Sequence, residues 1–417
     1  MAEPRSHTQT NVMMAPHPIA GVYLGATACG LKKTGALDLT VLQLAQGACT
    51  AAVFTRNAFC AAPVVVARNH LNAGSPQCLV INSGNANAGN GAQGLKDAEQ
   101  TCQWLGEELG LSTDAVLPFS TGVIGEPLSM DKIQSGLPDA LADLSISGWE
   151  RAAEAIRTTD TYAKVASLAL DIDGHRVLLT GMAKGSGMIH PNMATMLGFV
   201  ATDARIDQAC LNQALKNASD RSFNRITIDG DTSTNDACTL TATAQADMPW
   251  IDDVESPAYQ AFETGLVRLM QHLAHEIVRD GEGATKFVAV QVEKGVDAQE
   301  CLQVAHAVAL SPLVKTALFA CDPNWGRILA AVGRAGVGEA ATSADFDIDA
   351  VEIYLGDVLL VTQGGRAASY TEAAGQAVMD QTDITIRIVL HRGAVSETVW
   401  TSDFSYDYVK INAEYRT

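Results

Sequence analysis

The chain is 417 residues long, and 47% of its residues are hydrophobic while 18% are charged. This balance supports two or three packed domains and is too apolar for an intrinsically disordered protein. With 28 Lys and Arg against 47 Asp and Glu, the formal net charge is −19, which repels phosphate backbones and argues against nucleic acid as a partner.

The cysteines and the apolar stretches indicate the compartment. Nine cysteines are scattered singly without a C-x-x-C pair, and Cys78 and Cys102 fall inside apolar patterns, so we expect buried free thiols in a reducing environment. The longest apolar stretch, residues 304–320, is interrupted by a histidine, a proline and a lysine, and the N-terminus has no signal-peptide pattern. The sequence therefore predicts a soluble cytoplasmic protein with no membrane span.

The first half of the chain alternates short apolar strands with amphipathic helices. Residues 78–82 (CLVIN) predict a buried strand, which a loop rich in glycine and asparagine follows. The next helix is predicted to bury one face, made by Leu95, Ala98, Cys102, Leu105 and Leu109. Residues 116–119 (VLPF) predict a second strand, which ends where the sequence STG begins.

Two further helices have clear N-terminal signals. Ser147 and Glu150 match a capping box, ahead of an apolar face made by Trp149, Ala152, Ala153 and Ile156. Ser256 is predicted to cap the longest helix, since Pro257 follows it, and the apolar stripe holds Phe262, Leu266, Leu269, Leu273 and Ile277. A tight turn at 281–285 and a strand at 286–293 come next.

Beyond about residue 290 the strands become more regular, as in VEIYLGDVLLV (351–361) and ITIRIVLHRG (384–393). We therefore expect a separate α/β domain over about 290–417.

A glycine pattern in the first half is a false signal for a nucleotide site. Gly89, Gly91 and Gly94 match G-x-G-x-x-G formally, but in a dinucleotide site the glycines open the helix directly after the strand. The predicted strand ends well before them, at Asn82. We expect a flexible loop here and no NAD binding.

Three other patterns have ordinary structural explanations. His272 and His275 match neither zinc-protease motif, which favours a helix face and no metal. Residues 229–236 (DGDTSTND) are rich in oxygen atoms, but Thr234 occupies the EF-hand glycine position, which favours a turn network of Asp and Thr hydrogen bonds over a functional loop. In GMAKGSG (181–187) the lysine precedes the Gly-Ser pair, so a phosphate cradle is not expected.

Thr195 stands between a small, glycine-containing stretch and an apolar run. Spacing alone fits a buried strand threonine. The alternative is an N-terminal nucleophile: if the Ala194–Thr195 bond breaks, the freed α-amine, with a reference pKa of about 7.7–8.0, can act as base for the hydroxyl of the same residue. Small Ala194 permits attack on its own carbonyl, and Gly185 and Gly187 permit the unusual backbone angles that cleavage needs.

With these residues in place, the chain resembles the glutamate N-acetyltransferases, also called ornithine acetyltransferases, of arginine biosynthesis. The segment KGSGMIHPNMATML (184–197) resembles the self-cleavage segment of that family. Further matches follow in the family's order and cover nearly the whole chain: AAVFTRNAFCAAPV (51–64), NSGNANA (82–88), LPFSTGVIG (117–125), TTDT (158–161), TIDGDTSTND (227–236), DGEGATKF (280–287), DPNWGRI (322–328) and INAEYRT (411–417).

The resemblance implies an α/β (α+β) fold, with a layered helix–sheet–sheet–helix core of the self-processing ornithine acetyltransferase and aminopeptidase type and a smaller C-terminal α/β domain. It implies cleavage between Ala194 and Thr195 into an α chain (1–194) and a β chain (195–417), in an α2β2 heterotetramer. The implied catalytic residues are Thr195 as nucleophile with Thr121 and Gly122 as oxyanion-hole donors. The implied substrate contacts are Thr158 or its neighbour Thr159, Lys184, Thr195, Glu282, Asn412 and Thr417.

The implied activity is a ping-pong transfer of the acetyl group from N2-acetyl-L-ornithine to L-glutamate through acetyl-Thr195, with no metal or organic cofactor. From residue chemistry, Lys184 suits a substrate carboxylate and Glu282 suits an ammonium group. The sequence leaves open whether acetyl-CoA is a second acetyl donor. The loop GNG (89–91) departs from a Cys and Thr common in the family, and we expect this to alter only the lip of the pocket.

Three other hypotheses stay open at this point. A self-processing aminopeptidase or amidase shares the N-terminal threonine but passes the acyl group to water. A protein that binds amino acids without chemistry would leave Thr195 unprocessed. A metal hydrolase built on His272 and His275 is the least favoured, and insensitivity to chelators would dismiss it.

Overall fold

The structure is a computed structural model that describes residue 12 and residues 15–32, 35–190, 196–336 and 346–414. The described chain divides into two compact units. The first runs through Gly185, resumes over 196–224 and ends with Thr232–Ala274. The second comprises 186–190, Arg225–Asp231 and the chain from His275 onward. The stretch from about 290 to 417 falls entirely within the second unit.

Helices and strands are interspersed along both units. The strands are β1 (Val22–Thr27), β2 (Leu39–Leu44), β3 (Cys49–Phe54), β4 (Cys78–Asn85), β5 (Val116–Val123), β6 (Lys164–Ile172), β7 (His175–Lys184), β8 (Leu197–Thr202), β9 (Ile226–Thr227), β10 (Ala237–Ala242), β11 (Phe287–Gly295), β12 (Glu352–Leu355), β13 (Val358–Thr362), β14 (Gly365–Arg366), β15 (Asp383–Val389) and β16 (Val395–Ser402). The helices are α1 (Ala62–Ala73), α2 (Gly91–Leu109), α3 (Met130–Ala142), α4 (Trp149–Ala155), α5 (Gln208–Asp220), α6 (Pro257–Arg279), α7 (Ala298–Ala309), α8 (Pro312–Phe319), α9 (Trp325–Gly333), α10 (Glu372–Met379) and α11 (Tyr406–Glu414).

Two sheets face each other in the first unit. One has the order β1-β2-β4-β5, in which only β4 and β5 are parallel, and the other has the order β3-β10-β8-β7-β6. Side chains alternate across β4, so that Ile81 faces the second sheet while Val80 faces helices α2 and α3. Phe119 and Phe199 meet edge-to-face between the sheets, with ring centroids 5.1 Å apart.

A second helical layer covers the other sheet of this unit. Helix α6 packs closely on β6 and β7, because a Cβ at Gly265 would lie 2.5 Å from Leu170 and one at Gly181 would lie 3.1 Å from Leu273. Helix α5 packs on β3 and β10. The layers therefore run helix, sheet, sheet, helix, which confirms the predicted fold class.

The predicted strands β4 and β5 are real but longer than expected. Strand β4 continues to Asn85 instead of ending at Asn82, and β5 continues to Val123 instead of ending before the STG sequence. The two strands are neighbours and keep pairing in parallel beyond their apolar segments. Pairing with a distant strand, which a local apolar pattern does not encode, extends both elements.

The predicted helices are confirmed, with three corrections. Helix α2 begins at Gly91, so Gly91 and Gly94 lie in the helix and not in the expected flexible loop. In α2 the side chains of Ala98, Cys102 and Leu105 are buried, but Leu95 is 36% exposed and does not belong to the core face. Helix α4 buries its predicted apolar face, yet the capping box is wrong, because Gly148 occupies the N-cap position and no side chain caps the helix.

Helix α6 agrees with the sequence pattern in its start, its cap and its apolar stripe. It begins at Pro257, and the hydroxyl of Ser256 accepts a hydrogen bond of 3.1 Å from the amide of Tyr259. All five residues of the predicted stripe are fully buried. The following turn closes with a bond of 2.8 Å from the amide of Ala284 to the carbonyl of Gly281, and strand β11 begins at Phe287.

The second unit is built on a seven-stranded mixed sheet in the order β14-β13-β12-β15-β11-β16-β9. Its core joins alternate residues of β11 and β15 to helices α7, α8 and α9. No single helix in the described ranges has the length and hydropathy to cross a membrane; α7 and α8 meet those criteria only as a pair, across a bend of 57°.

All nine cysteines lie in the described ranges and are free thiols. Cys78 and Cys102 are fully buried, as their apolar surroundings predict.

Candidate active site

Thr121 and Gly122 lie inside strand β5, near its C-terminal end, and not just past it as predicted. They face the end of β4, where the register shifts at Gly84 and Asn85. Gly122 has a φ of +133°, and a Cβ there would lie 2.3 Å from the carbonyl carbon of Gly84. Only glycine permits this close approach. The packing of β5 against β4 therefore sets the positions of the Thr121 hydroxyl and the Gly122 N–H.

Buried polar side chains hold the backbone ahead of Thr121. The Ser120 hydroxyl donates a hydrogen bond of 2.5 Å to the side-chain oxygen of Asn82. The side-chain amide of Asn235 donates to the carbonyls of Ser120 and Ala86, at 2.9 Å and 2.6 Å. These bonds orient the peptide unit that joins Ser120 to Thr121. Asn82 and Asn235 both lie in the sequence motifs, but their position in a motif did not predict that they would bind this part of the backbone.

Lys184 reaches Thr121 from the other sheet of the same unit. It is the last residue of β7, and its ammonium group donates a hydrogen bond of 3.3 Å to the Thr121 hydroxyl oxygen. The antiparallel register places Lys184 opposite Leu197, the first residue of β8. The structure thus brings together two of the residues predicted for the site.

A buried carboxylate, Asp160, connects the predicted substrate contact Thr158 to the end of β7. Its Oδ2 accepts a hydrogen bond of 3.1 Å from the amide of Thr158, and its Oδ1 accepts bonds of 2.7 Å from the amide of Gly185 and from the ammonium group of Lys164. Burial by itself raises the pKa of this carboxyl, but the charges of Lys184 and Lys164 outweigh it and hold the pKa well below its usual range. Sequence reasoning missed Asp160.

A second buried carboxyl, Asp236, behaves in the opposite way. Burial raises its pKa well above the usual range, and hydrogen bonds from Ser233 and the charge of Lys184 oppose this only in part. The raised pKa favours the protonated, neutral form of the Asp236 side chain. Asp236 directly precedes Ala237, whose amide donates a bond of 3.1 Å to the carbonyl of Met196, the residue before β8.

In the second unit, Glu282 and Asn412 are in direct contact. The Asn412 side-chain amide donates a hydrogen bond of 2.7 Å to Oε2 of Glu282, whose side chain is buried. The amide of Glu282 donates a bond of 2.8 Å to the carbonyl of Ser186. A Cβ at Gly187 would lie 2.4 Å from the same Oε2, so glycine is needed beside this carboxylate.

The Asp229 carboxylate anchors the glycine-containing segment that follows Lys184. It accepts hydrogen bonds of 2.6 Å and 2.9 Å from the amides of Met188 and Ile189, and one of 3.2 Å from the hydroxyl of Tyr408. Farther along the same loop, Thr234 donates a bond of 2.6 Å to the side chain of Asn235. Within residues 229–236, Asp229 also accepts a bond of 3.2 Å from the amide of Asp231, which agrees with the expected turn network.

Ala194, Thr195 and Thr417 lie outside the described residues. The cleavage site, the nucleophile and the C-terminal substrate contact therefore stay predictions, as do the roles assigned to the residues described above.

The layered core, with the Lys184–Thr121 pair in its first unit, agrees with the acyltransferase class that the motifs predict. A profile of the ArgJ family matches residues 23–417, and the chain belongs to that family. It is 53% identical over 403 residues to the arginine biosynthesis bifunctional protein ArgJ of Pseudomonas syringae pv. tomato, covering 97% of this chain and 98% of that protein. The ArgJ protein of Pseudomonas fluorescens is 52% identical over 401 residues, covering 96% of this chain and 97% of that protein.

A crystal structure of the bifunctional protein ArgJ from Bacillus halodurans aligns with a TM-score of 0.48 and 36% identity, over 52% of this chain and 98% of that one. The near full-length identity to the two Pseudomonas proteins confirms the family predicted from the motifs, and with it an acyltransferase of arginine biosynthesis.

Proposed function

We propose that this enzyme transfers the acetyl group of N2-acetyl-L-ornithine to L-glutamate, giving L-ornithine and N-acetyl-L-glutamate. The observation that carries the proposal is the bond from the Lys184 ammonium to the Thr121 hydroxyl oxygen. A hydroxyl has one hydrogen and can accept through its oxygen at the same time. Because Lys184 donates to that oxygen, the hydrogen of Thr121 is left to donate to a reacting carbonyl.

The nucleophile is Thr195, which self-cleavage at the Ala194–Thr195 bond would expose. The products are the α chain, 1–194, and the β chain, 195–417. Two described features support this. Asp229 binds the amides of Met188 and Ile189, which precede the proposed cleavage site in the sequence, and the carbonyl of Met196, the residue after Thr195, accepts a hydrogen bond from the amide of Ala237. Met196 thus links the proposed nucleophile to Leu197, the first residue of β8.

In the first half-reaction the Thr195 hydroxyl attacks the acetyl carbonyl, and the α-amine of the same residue takes up its proton. The negative charge that forms on the carbonyl oxygen is stabilised by the Thr121 hydroxyl and the Gly122 amide. Collapse breaks the bond to the ornithine nitrogen, which receives the proton held by the α-ammonium group. Acetyl-Thr195 remains. In the second half-reaction the neutral amine of L-glutamate attacks this ester, and Thr195 leaves as the hydroxyl.

Substrate binding is assigned to groups of opposite charge. The Lys184 ammonium is suited to a substrate carboxylate, and the Glu282 carboxylate, oriented by Asn412, is suited to the side-chain ammonium of ornithine. Thr158, or its neighbour Thr159, and Thr417 complete the proposed contacts.

We further propose that two α and two β chains assemble into a heterotetramer and that no metal or organic cofactor takes part. Because the Pseudomonas relatives are named bifunctional, acetyl-CoA is the second donor to test.

The test is to incubate the processed enzyme with acetylornithine, with and without L-glutamate, and to quantify ornithine, N-acetylglutamate and acetate by mass spectrometry. We expect sustained ornithine release only with glutamate, matched one-to-one by N-acetylglutamate. Ornithine and acetate released without glutamate would identify a hydrolase of the aminopeptidase or amidase kind and contradict the proposal. A parallel reaction with acetyl-CoA and glutamate, followed by release of the free thiol, decides whether the enzyme is bifunctional.

A further inference from the structure

Asp160 takes no part in the chemistry proposed above, yet its carboxylate joins three segments of the first unit. Its side chain and that of Lys164 are both fully buried, and the two form an ion pair of 2.7 Å. The remaining bonds of the carboxylate are to main-chain amides, those of Thr158 and Gly185. Gly185 directly follows Lys184, so one carboxylate contacts the backbone of a proposed substrate contact, Thr158, and the backbone next to the proposed carboxylate-binding lysine.

We propose that Asp160 is a positioning residue for substrate binding, which fixes the Thr158 loop and the Lys184 end of strand β7 relative to each other. This proposal rests on the proposed function of the same site. Antiparallel pairing places Lys164 opposite Ala183, which is next to Lys184. The ion pair therefore lies at the end of β7 that carries Lys184, the proposed substrate-binding residue. Charge-assisted hydrogen bonds of 2.7 Å hold such a geometry more tightly than neutral ones.

The competing explanation is that Asp160 only neutralises the buried charge of Lys164. Neutralisation requires a carboxylate near the ammonium group, but it does not require bonds to the amides of Thr158 and Gly185. The two explanations therefore predict different KM values for a variant in which the charge of Lys164 is removed as well. Asp160→Asn alone removes the carboxylate paired with a buried ammonium group and is expected to destabilise the fold.

The experiment compares the wild-type enzyme with Asp160→Asn and with the double variant Asp160→Asn, Lys164→Met. Asp139→Asn, which changes an exposed aspartate on α3, is the matched control. Processing is measured by intact mass, stability by thermal unfolding, and acetyl transfer is expressed per processed chain. We expect the double variant to regain most of the Tm lost in Asp160→Asn, while KM for both substrates stays raised by about tenfold and kcat changes by less than about threefold.

A double variant with wild-type KM for both substrates would overturn the proposal, because charge balance would then explain Asp160 completely. If the double variant does not fold, Asp160→Glu decides the question. It keeps the charge but moves the carboxylate by one methylene, so we expect raised KM values, and unchanged values would overturn the proposal. Failure of the proposed function is distinguishable, since wild-type enzyme and Asp139→Asn would then both lack acetyl transfer.

Discussion

The ammonium group of Lys184 lies 3.3 Å from the hydroxyl oxygen of Thr121, although the two residues belong to different sheets of the first unit. The bond joins the end of β7 to the end of β5. It places a positive charge beside the hydroxyl that we propose as a donor to the developing oxyanion.

Replacing Thr121 with alanine removes that donor. We expect turnover to fall by roughly a hundred- to a thousandfold, as for the loss of one oxyanion-hole donor, with a smaller effect on KM. Thr121→Ser keeps the hydroxyl and is the matched control, which should retain most of the activity. Steady-state kinetics of acetylornithine with glutamate provides the measurement. Near-normal turnover of Thr121→Ala would remove Thr121 from the site.

Gly122 should tolerate substitution much less than Gly125, although both have positive φ, +133° and +82°. A methyl group at Gly122 would lie 2.3 Å from the backbone of Gly84, whereas one at Gly125 meets no atom within 4 Å. Gly125→Ala is therefore expected to lower the stability of the fold only through backbone strain, by about 1–3 kcal/mol, and Gly122→Ala is expected to lower it by clearly more. Thermal unfolding of both variants measures the difference. Equal losses would show that the β4–β5 approach is not tight.

Lys315 is expected to make the stability of the protein depend on pH. It is 1% exposed, and its ammonium donates to the Thr401 hydroxyl at 2.8 Å and also contacts the carbonyl of Ser402. Burial lowers its pKa to about 7, and the charges of Asp403 and Asp229 oppose this only in part. Between about pH 7 and the ordinary lysine pKa of about 10.4, the unfolded chain holds a proton that the folded chain has lost.

Stability should therefore rise with pH through this window, by roughly 1 kcal/mol per pH unit from this residue. Lys315→Met removes that slope, while Lys410→Met, at an exposed position of α11, leaves it unchanged. The free energy of unfolding, measured in denaturant at pH 7, 8 and 9, gives the slopes. Identical slopes for wild type and Lys315→Met would show that Lys315 keeps its ordinary pKa.

Glu282 should discriminate between the two substrates. If its carboxylate binds the side-chain ammonium of acetylornithine, Glu282→Gln should raise KM for acetylornithine by about tenfold and KM for glutamate by less than about threefold. Glu255→Gln, at an exposed position, is the control. Equal increases for both substrates would contradict the charge-pairing role and indicate a general contribution to the shape of the site.

The predictable parts of the fold are those with local signals. Helix α6 has its cap, its proline and its whole apolar stripe in consecutive residues, and the structure follows them. The Ser147 capping box fails because Gly148 occupies the N-cap position instead. The ends of β4 and β5 could not be predicted, since both strands continue as far as their pairing with each other allows.

In the candidate site, too, only the residues that lie in a local motif could be predicted. Motif resemblance located Thr121, Gly122, Thr158, Lys184, Glu282 and Asn412, because each lies in a recognisable segment. The motifs did not indicate a role for Asp160, although this residue lies within one of those segments. Its role is inferred from a hydrogen bond with the amide of Gly185, which is 25 residues later in the sequence. Asn235 is similar, since its bonds to Ser120 and Ala86 are formed only by the folded chain.

The central claim is that self-cleavage turns Thr195 into an N-terminal nucleophile, and intact-mass spectrometry of the purified protein tests it most directly. The wild-type protein should give two chains with the masses of residues 1–194 and 195–417, and Thr195→Ser, which keeps a hydroxyl, should give the same division. Thr195→Ala should remain a single chain and lack acetyl transfer. A single uncut wild-type chain, or normal cleavage of Thr195→Ala, would contradict the account.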